Sequence, residues 1–136
     1  MANREMASDV KVTPALNRAS ITSNTTTNGT WIDTQGFGSV FFSIQSDTIT
    51  DGTYTPLIED ADASNQSDAA AVADTFLSVT EASVAFVAAD DNKTKKIAYT
   101  GGKRYVRLSL VSTGVTSGGG IGATAVLGHP GLGAVA

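Results

Sequence analysis

The chain has no cysteine and a single histidine, His129. The first absence excludes a disulfide framework and a thiolate zinc site, and the second a histidine-rich metal centre. Charge is also sparse: 16% of residues are charged, with 9 Lys and Arg against 13 Asp and Glu, a formal net charge of −4. Apart from Lys93, Lys95 and Lys96, and then Lys103, Arg104 and Arg107, the cations are scattered. Phosphate recognition needs a concentrated basic surface, so direct binding of nucleic acid is not expected. No apolar run approaches the ~18 residues of a membrane span, and residues 1–9 lack the apolar stretch of a secretion signal. The expectation is a protein made in the cytoplasm that stays soluble and has no membrane partner.

What the chain does contain is Gly, Ala, Ser, Thr and Val in quantity, a composition that favours short strands joined by turns. Its 136 residues suit one domain, able to bury roughly two-thirds of the surface exposed by the unfolded chain. The best-patterned stretch is Lys103-Arg104-Tyr105-Val106-Arg107-Leu108-Ser109-Leu110-Val111-Ser112-Thr113, followed by a Gly-rich turn and Ile121-Gly122-Ala123-Thr124-Ala125-Val126-Leu127-Gly128-His129-Pro130. Val106, Leu108 and Leu110 alternate with Tyr105, Arg107 and Ser109, the half-buried pattern of an antiparallel sheet. Ile121, Ala123, Ala125 and Leu127 alternate with residues that are also small and mildly apolar, as in a central strand. Together the two stretches read as a long β-hairpin.

Upstream, residues 1–9 read as a flexible arm and 10–136 as a single domain. Val10-Lys11-Val12-Thr13 alternates until Pro14, which marks a strand edge or start. Residues 19–27 and 30–34 flank Asn28-Gly29, the signature of a tight hairpin turn, and Asp51-Gly52 suggests a second hairpin between 39–46 and 54–59. Val40, Phe42 and Ile44 share a core face; Phe41 falls on the polar side, as a second buried layer or a contact with another subunit. Tyr54 and Ile58 share a face. Residues 59–68 form an acidic loop, and 67–73 read as one capped helical turn. Phe76-Leu77-Ser78-Val79 and Val84-Ala85-Phe86-Val87 read as strands, and 94–100 as a strand with Ile97 and Tyr99 inward beside Lys95. The sum is an all-β antiparallel sandwich or jelly roll of about eight to ten short strands.

Catalytic patterns are missing. There is no Gly-x-Ser-x-Gly, phosphate-loop or His-Glu-x-x-His motif, and Gly118-Gly119-Gly120 lacks the Lys and helix of a phosphate cradle. The expectation is a non-enzyme without a cofactor. Asp60-x-Asp62-x-Ser64 begins like a calcium loop but has Asn65 at position six and Ala71 at position twelve. Of the aromatics Trp31, Tyr54, Tyr99 and Tyr105, a possible sugar platform, Tyr54 and Tyr99 fall in phase with the core, which leaves Trp31 and Tyr105 for the surface. Lys103, Arg104 and Arg107 bracket Tyr105, either as a solvated strand face with intrachain ion pairs or as the Arg-plus-aromatic composition of an interface. The interface candidates are Arg4, Val10, Val12, Trp31, Phe41, Arg104, Tyr105 and Arg107.

The opening Met-Ala-Asn-Arg-Glu, Ile32-Asp33-Thr34-Gln35-Gly36-Phe37, Asp51-Gly52-Thr53-Tyr54-Thr55-Pro56-Leu57 and above all Gly102-Lys103-Arg104-Tyr105-Val106-Arg107 with Ala125-Val126-Leu127-Gly128-His129-Pro130 give the chain a likeness over almost its whole length. It resembles a family of small tailed-bacteriophage virion structural proteins, the capsid cement or decoration proteins of jelly-roll type. The resemblance implies a protein on the exterior of the virion head, bound to the major capsid protein and bridging its neighbouring subunits. It also implies self-association as a dimer or trimer. A head–tail connector or tail component and a glycan-binding adhesion module are the alternatives.

Overall fold

In a computed structural model, which describes residues 6–130, the chain forms nine strands. They are β1 (Lys11–Ile21), β2 (Thr26–Thr27), β3 (Ile32–Asp33), β4 (Phe37–Ile49), β5 (Thr53–Ala61), β6 (Ala70–Ala71), β7 (Thr94–Tyr99), β8 (Tyr105–Thr113) and β9 (Gly119–Pro130). One sheet has the order β1-β9-β4-β7 and the other β2-β8-β5-β6, with β3 beside β2 on the same edge of β8. All pairings are antiparallel. β1 pairs with β9, β2 and β3 with β8, β4 with β7, and β5 with β6. The first half of the chain thus runs against the second as one ribbon, which folds over so that β9 meets β4 and β8 meets β5. That arrangement is a jelly roll, a form of the all-β sandwich.

The alternation read from the sequence sets the inner faces. Val40, Phe42 and Ile44 on β4, Ile97 and Tyr99 on β7, and Ile121, Ala123, Ala125 and Leu127 on β9 are buried from one sheet; Tyr54 and Ile58 on β5 and Val106, Leu108 and Leu110 on β8 are buried from the other. Phe42 lies opposite Ala125 in the ladder, so a small residue on the central strand leaves room for a fully buried ring. Tyr99 and Asp60 tie the sheets together. The Tyr99 hydroxyl donates to Asp60 Oδ2 at 2.8 Å and accepts from the Lys103 amide at 3.0 Å, and burial, aided by the Asp60 carboxylate, pushes its pKa up to about 12.

Several local expectations give way to this topology. The long hairpin does not exist: β8 and β9 lie in different sheets, and the Gly-rich segment between them crosses the sandwich. The second hairpin fails likewise, since β4 and β5 also lie in opposite sheets. In the first, Thr26–Thr27 and Ile32–Asp33 both pair with β8 instead of with each other. Gly29 is required there by close packing, because a Cβ at that position would run into the carbonyl oxygens of Leu108 and Ala15. Turn residues and alternation mark where a strand ends and which way it faces; they are blind to whether the chain doubles back or changes sheet. β1 continues through Pro14 to Ile21 as an edge strand, with register shifts after Pro14 and again after Leu16.

The helical turn expected at 67–73 is replaced by Ala70–Ala71 pairing with Asp60 and Glu59, while Asp68 accepts the amides of Asp62 and Ala63. Three 3-10 turns, Asp74–Phe76, Glu81–Val84 and Ala88–Asp90, replace the strands expected around Phe76 and Val84, leaving single bridges from Leu77 to Tyr99 and from Phe86 to Tyr54. This segment covers the free edge of β5. Pro56 has no amide to offer, Tyr54 exchanges backbone bonds with Phe86, and the Ile58 amide donates to the Glu81 carboxylate at 2.7 Å. Of the arm, residues 1–5 lie outside the described residues, and Ala7–Asp9 is a 3-10 turn.

The crossing between β8 and β9 is held by Asp51, whose carboxylate accepts the amides of Thr116, Ser117 and Gly118 at 2.9–3.1 Å. Those amides lower its pKa. A carboxyl depressed by folding stabilises the fold above its ordinary range and loses that contribution as pH falls through the folded value. Asp51→Ala should therefore lower the melting temperature at pH 7, with the gap from wild type closing as pH drops from about 5 toward 2, followed by circular dichroism. Phe42→Ala, which empties a fully buried site, should cost about 3–5 kcal/mol in urea denaturation.

Candidate interaction surfaces

Because β8 and β5 alternate, the residues between their core positions form the outer face of the second sheet. Arg107 lies directly opposite Glu59 and Tyr105 opposite Ala61, with Asp33 on the other side of Tyr105. Arg107 bonds Glu59 Oε1 through Nη2 at 2.7 Å and Nε at 3.2 Å, and its guanidinium sits 4.7 Å from the centre of the Trp31 ring. Arg104 makes a two-pronged contact with Asp33, both bonds 2.8 Å, and lies 5.0 Å from the Tyr105 ring. The Arg104 bond is the main cause that holds the Asp33 carboxyl down at about 2, and the same bond raises the Arg104 pKa. Trp31, Arg104, Tyr105 and Arg107 are therefore brought together, and the carboxylates that Arg104 and Arg107 meet belong to their own chain. Glu59 and Asp33, which fix the two arginines, were not singled out by sequence reasoning; cross-strand opposition of charges becomes visible only once β8 is paired with β5 and β3.

The other candidates lie on the opposite side of the molecule. On the outer face of the β1-β9-β4-β7 sheet, Val12 pairs with Val126, Val126 with Phe41, and Phe41 with Ala98. One apolar row thus crosses all four strands. Val12 is 63% and Phe41 36% exposed. Val10 approaches Gly128 one level away, and Arg4 lies outside the described residues. Val126 and Ala98 complete the row and were missed as surface residues; the signal was the mildly apolar second face of the last strand. A shallow depression of about 610 Å³ opens on this face between β1 and β4, lined among others by Pro14, Asn17, Gln45 and Thr124. At its end Arg18 and Asp47 form an ion pair at 2.7 Å.

The remaining chemical motifs have structural partners. His129 Nδ1 is 2.8 Å from Ser39 Oγ, an exposed pair joining β9 to β4. Asp60 faces Tyr99, with Lys103 Nζ at 3.7 Å. Asp90 accepts the Val87 amide and pairs with Lys93 and Lys95, while Asp91 accepts the Ile49 amide at 2.6 Å. Among the described residues no three acidic or histidine side chains gather into a metal site. No family model matches the chain, and no curated protein or solved structure matches it either.

The two arginine clusters differ in burial: the Arg107–Glu59 side chains are about one-fifth exposed and those of Arg104–Asp33 nearly half. Arg107→Ala removes an ion pair and a cation–π contact together and should destabilise the fold by about 1–2 kcal/mol. Arg104→Ala should have a smaller effect, and chemical denaturation of the two variants side by side measures the difference.

Proposed function

We propose that this protein is a decoration, or cement, protein of a tailed-bacteriophage head, bound to the outside of the assembled shell and bridging neighbouring major capsid subunits. The observation that carries the reading is the outer face of the β8–β5 sheet, where Trp31, Arg104, Tyr105 and Arg107 share one surface and Asp33 and Glu59 hold the guanidinium groups in place. Aromatic and arginine side chains dominate the energetics of protein contacts, and side chains already ordered lose less entropy on docking. The family resemblance in the segments around Asp33 and Arg104 supports the same reading. So does the jelly-roll frame, which viral capsid domains also use. Stabilisation follows from mass action: a protein that binds only the assembled lattice lowers its free energy, and the effect repeats at every equivalent site. Each copy needs about 1,000 Å² of total buried surface or more.

Heads of the phage that carries this gene, assembled without the protein, should take it up in copy numbers comparable to the major capsid protein and become more resistant to heat. Trp31→Ala combined with Arg107→Ala should weaken uptake about tenfold or more while leaving the circular dichroism spectrum unchanged. Density confined to the tail in a virion reconstruction, or heads no more heat-resistant with the protein than without it, overturns the reading.

A further inference from the structure

We infer that the outer face of the β1-β9-β4-β7 sheet is where two copies of this chain meet, face to face, about a two-fold axis that runs parallel to the strands between β9 and β4. The inference stands apart from the capsid reading, which concerns the opposite face.

The register of the sheet carries it. Rotation about that axis maps each cross-strand level onto itself with the order of strands reversed, so β9 of one copy covers β4 of the other and β1 covers β7. At the apolar level, Phe41 then lies over the second copy's Val126, and Val12 over its Ala98. Large residues meet smaller ones along the whole row. Of the flanking levels, Ser39 is in register with Gly128 and so faces a glycine of the other copy, whereas at the Gln45 level the outer side of Gly122 is filled by the β1 backbone at Leu16 and Arg18. Between them Ser43 meets Thr124, hydroxyl to hydroxyl. Two sheets pack at about 10 Å only if the facing side chains interdigitate, and a strand of small outer residues laid over a strand of larger ones meets that condition.

Charge permits the contact. The carboxylate of Asp47 on this face is paired with Arg18. Lys96, on the marginal strand β7, is carried by the axis to the far margin of the second copy, so the two ammonium groups do not oppose one another. Four strands spaced about 4.8 Å apart and roughly ten residues long present on the order of 600 Å² per copy, about 1,200 Å² in all, which reaches the lower end of specific interfaces. A reversible dimer with micromolar affinity is the expected result.

Sedimentation of the full chain at about 100 µM should give a dimer that dissociates on dilution. Phe41→Asp introduces a charge at an outward-facing position and should leave a monomer with an unchanged circular dichroism spectrum and a melting temperature that no longer depends on protein concentration. The chain has no native cysteine, so the axis can be read by cross-linking: an equimolar mixture of Val12→Cys and Ala98→Cys copies should form the disulfide-linked dimer under mild oxidation more readily than either variant alone. A wild-type chain that stays monomeric at about 100 µM overturns the inference. So does a Phe41→Asp variant that remains dimeric, or cross-linking of Val12→Cys with itself in preference to the mixture.

Discussion

The pairing of β4 with β9, from Phe37 opposite Pro130 to Ile49 opposite Gly119, is the constraint on which the rest of the structure depends. It joins the two halves of the folded ribbon in the middle of one sheet, and its register decides which residues are core. With Val40 opposite Leu127 and Phe42 opposite Ala125, every second position faces inward from Val40 to Ser46 on β4 and from Ile121 to Leu127 on β9. A slip of one residue would exchange the buried set for Phe41, Ser43, Thr124 and Val126. The same register that builds the core therefore also assembles the apolar row on the outer face.

Much of the fold was legible in the sequence at the level of single strands. The alternation in 39–45, 105–110 and 121–127 correctly separated inner from outer residues, because a half-buried antiparallel strand must alternate. Partner choice was illegible. Asp51-Gly52 and the glycines at 118–120 have the chemistry of tight turns, yet Asp51 anchors the passage from β8 to β9 and both segments change sheet. The segment 72–92 misled in the opposite sense: its apolar residues do pack, with Val72, Leu77, Val84 and Phe86 all buried, but against the open side of the sandwich through short turns. Apolar content reported burial there without reporting strand. Of the interface candidates, composition picked out residues that the fold sorts onto two opposite faces, a division no linear pattern encodes.

The two faces are built on different physics. On the β8–β5 side, arginine and aromatic side chains are fixed by carboxylates of the same chain, and the exposed charge is locally neutral and rigid. On the β1–β9–β4–β7 side there is little charge, and the surface is shaped by size: glycine, serine and threonine around a single band of larger apolar groups. Electrostatic organisation favours a partner that must match defined polar positions, whereas a graded, nearly neutral relief favours a surface of the same kind. A sandwich offers both at once because its sheets face away from each other while sharing one core.

The ribbon topology also governs when the protein can exist. Lys11 pairs with Leu127 and Ile21 with Gly119, so the first strand leaves the ribosome long before its only sheet neighbour among the described residues is made. β4 waits for the same segment. At ordinary rates of synthesis that interval is about 5 to 20 s, during which two long, alternating strands are without the strand that separates them. Folding of this domain is therefore an event that follows synthesis of β9, and loss of that strand would deprive β1 of every ladder partner it has among the described residues.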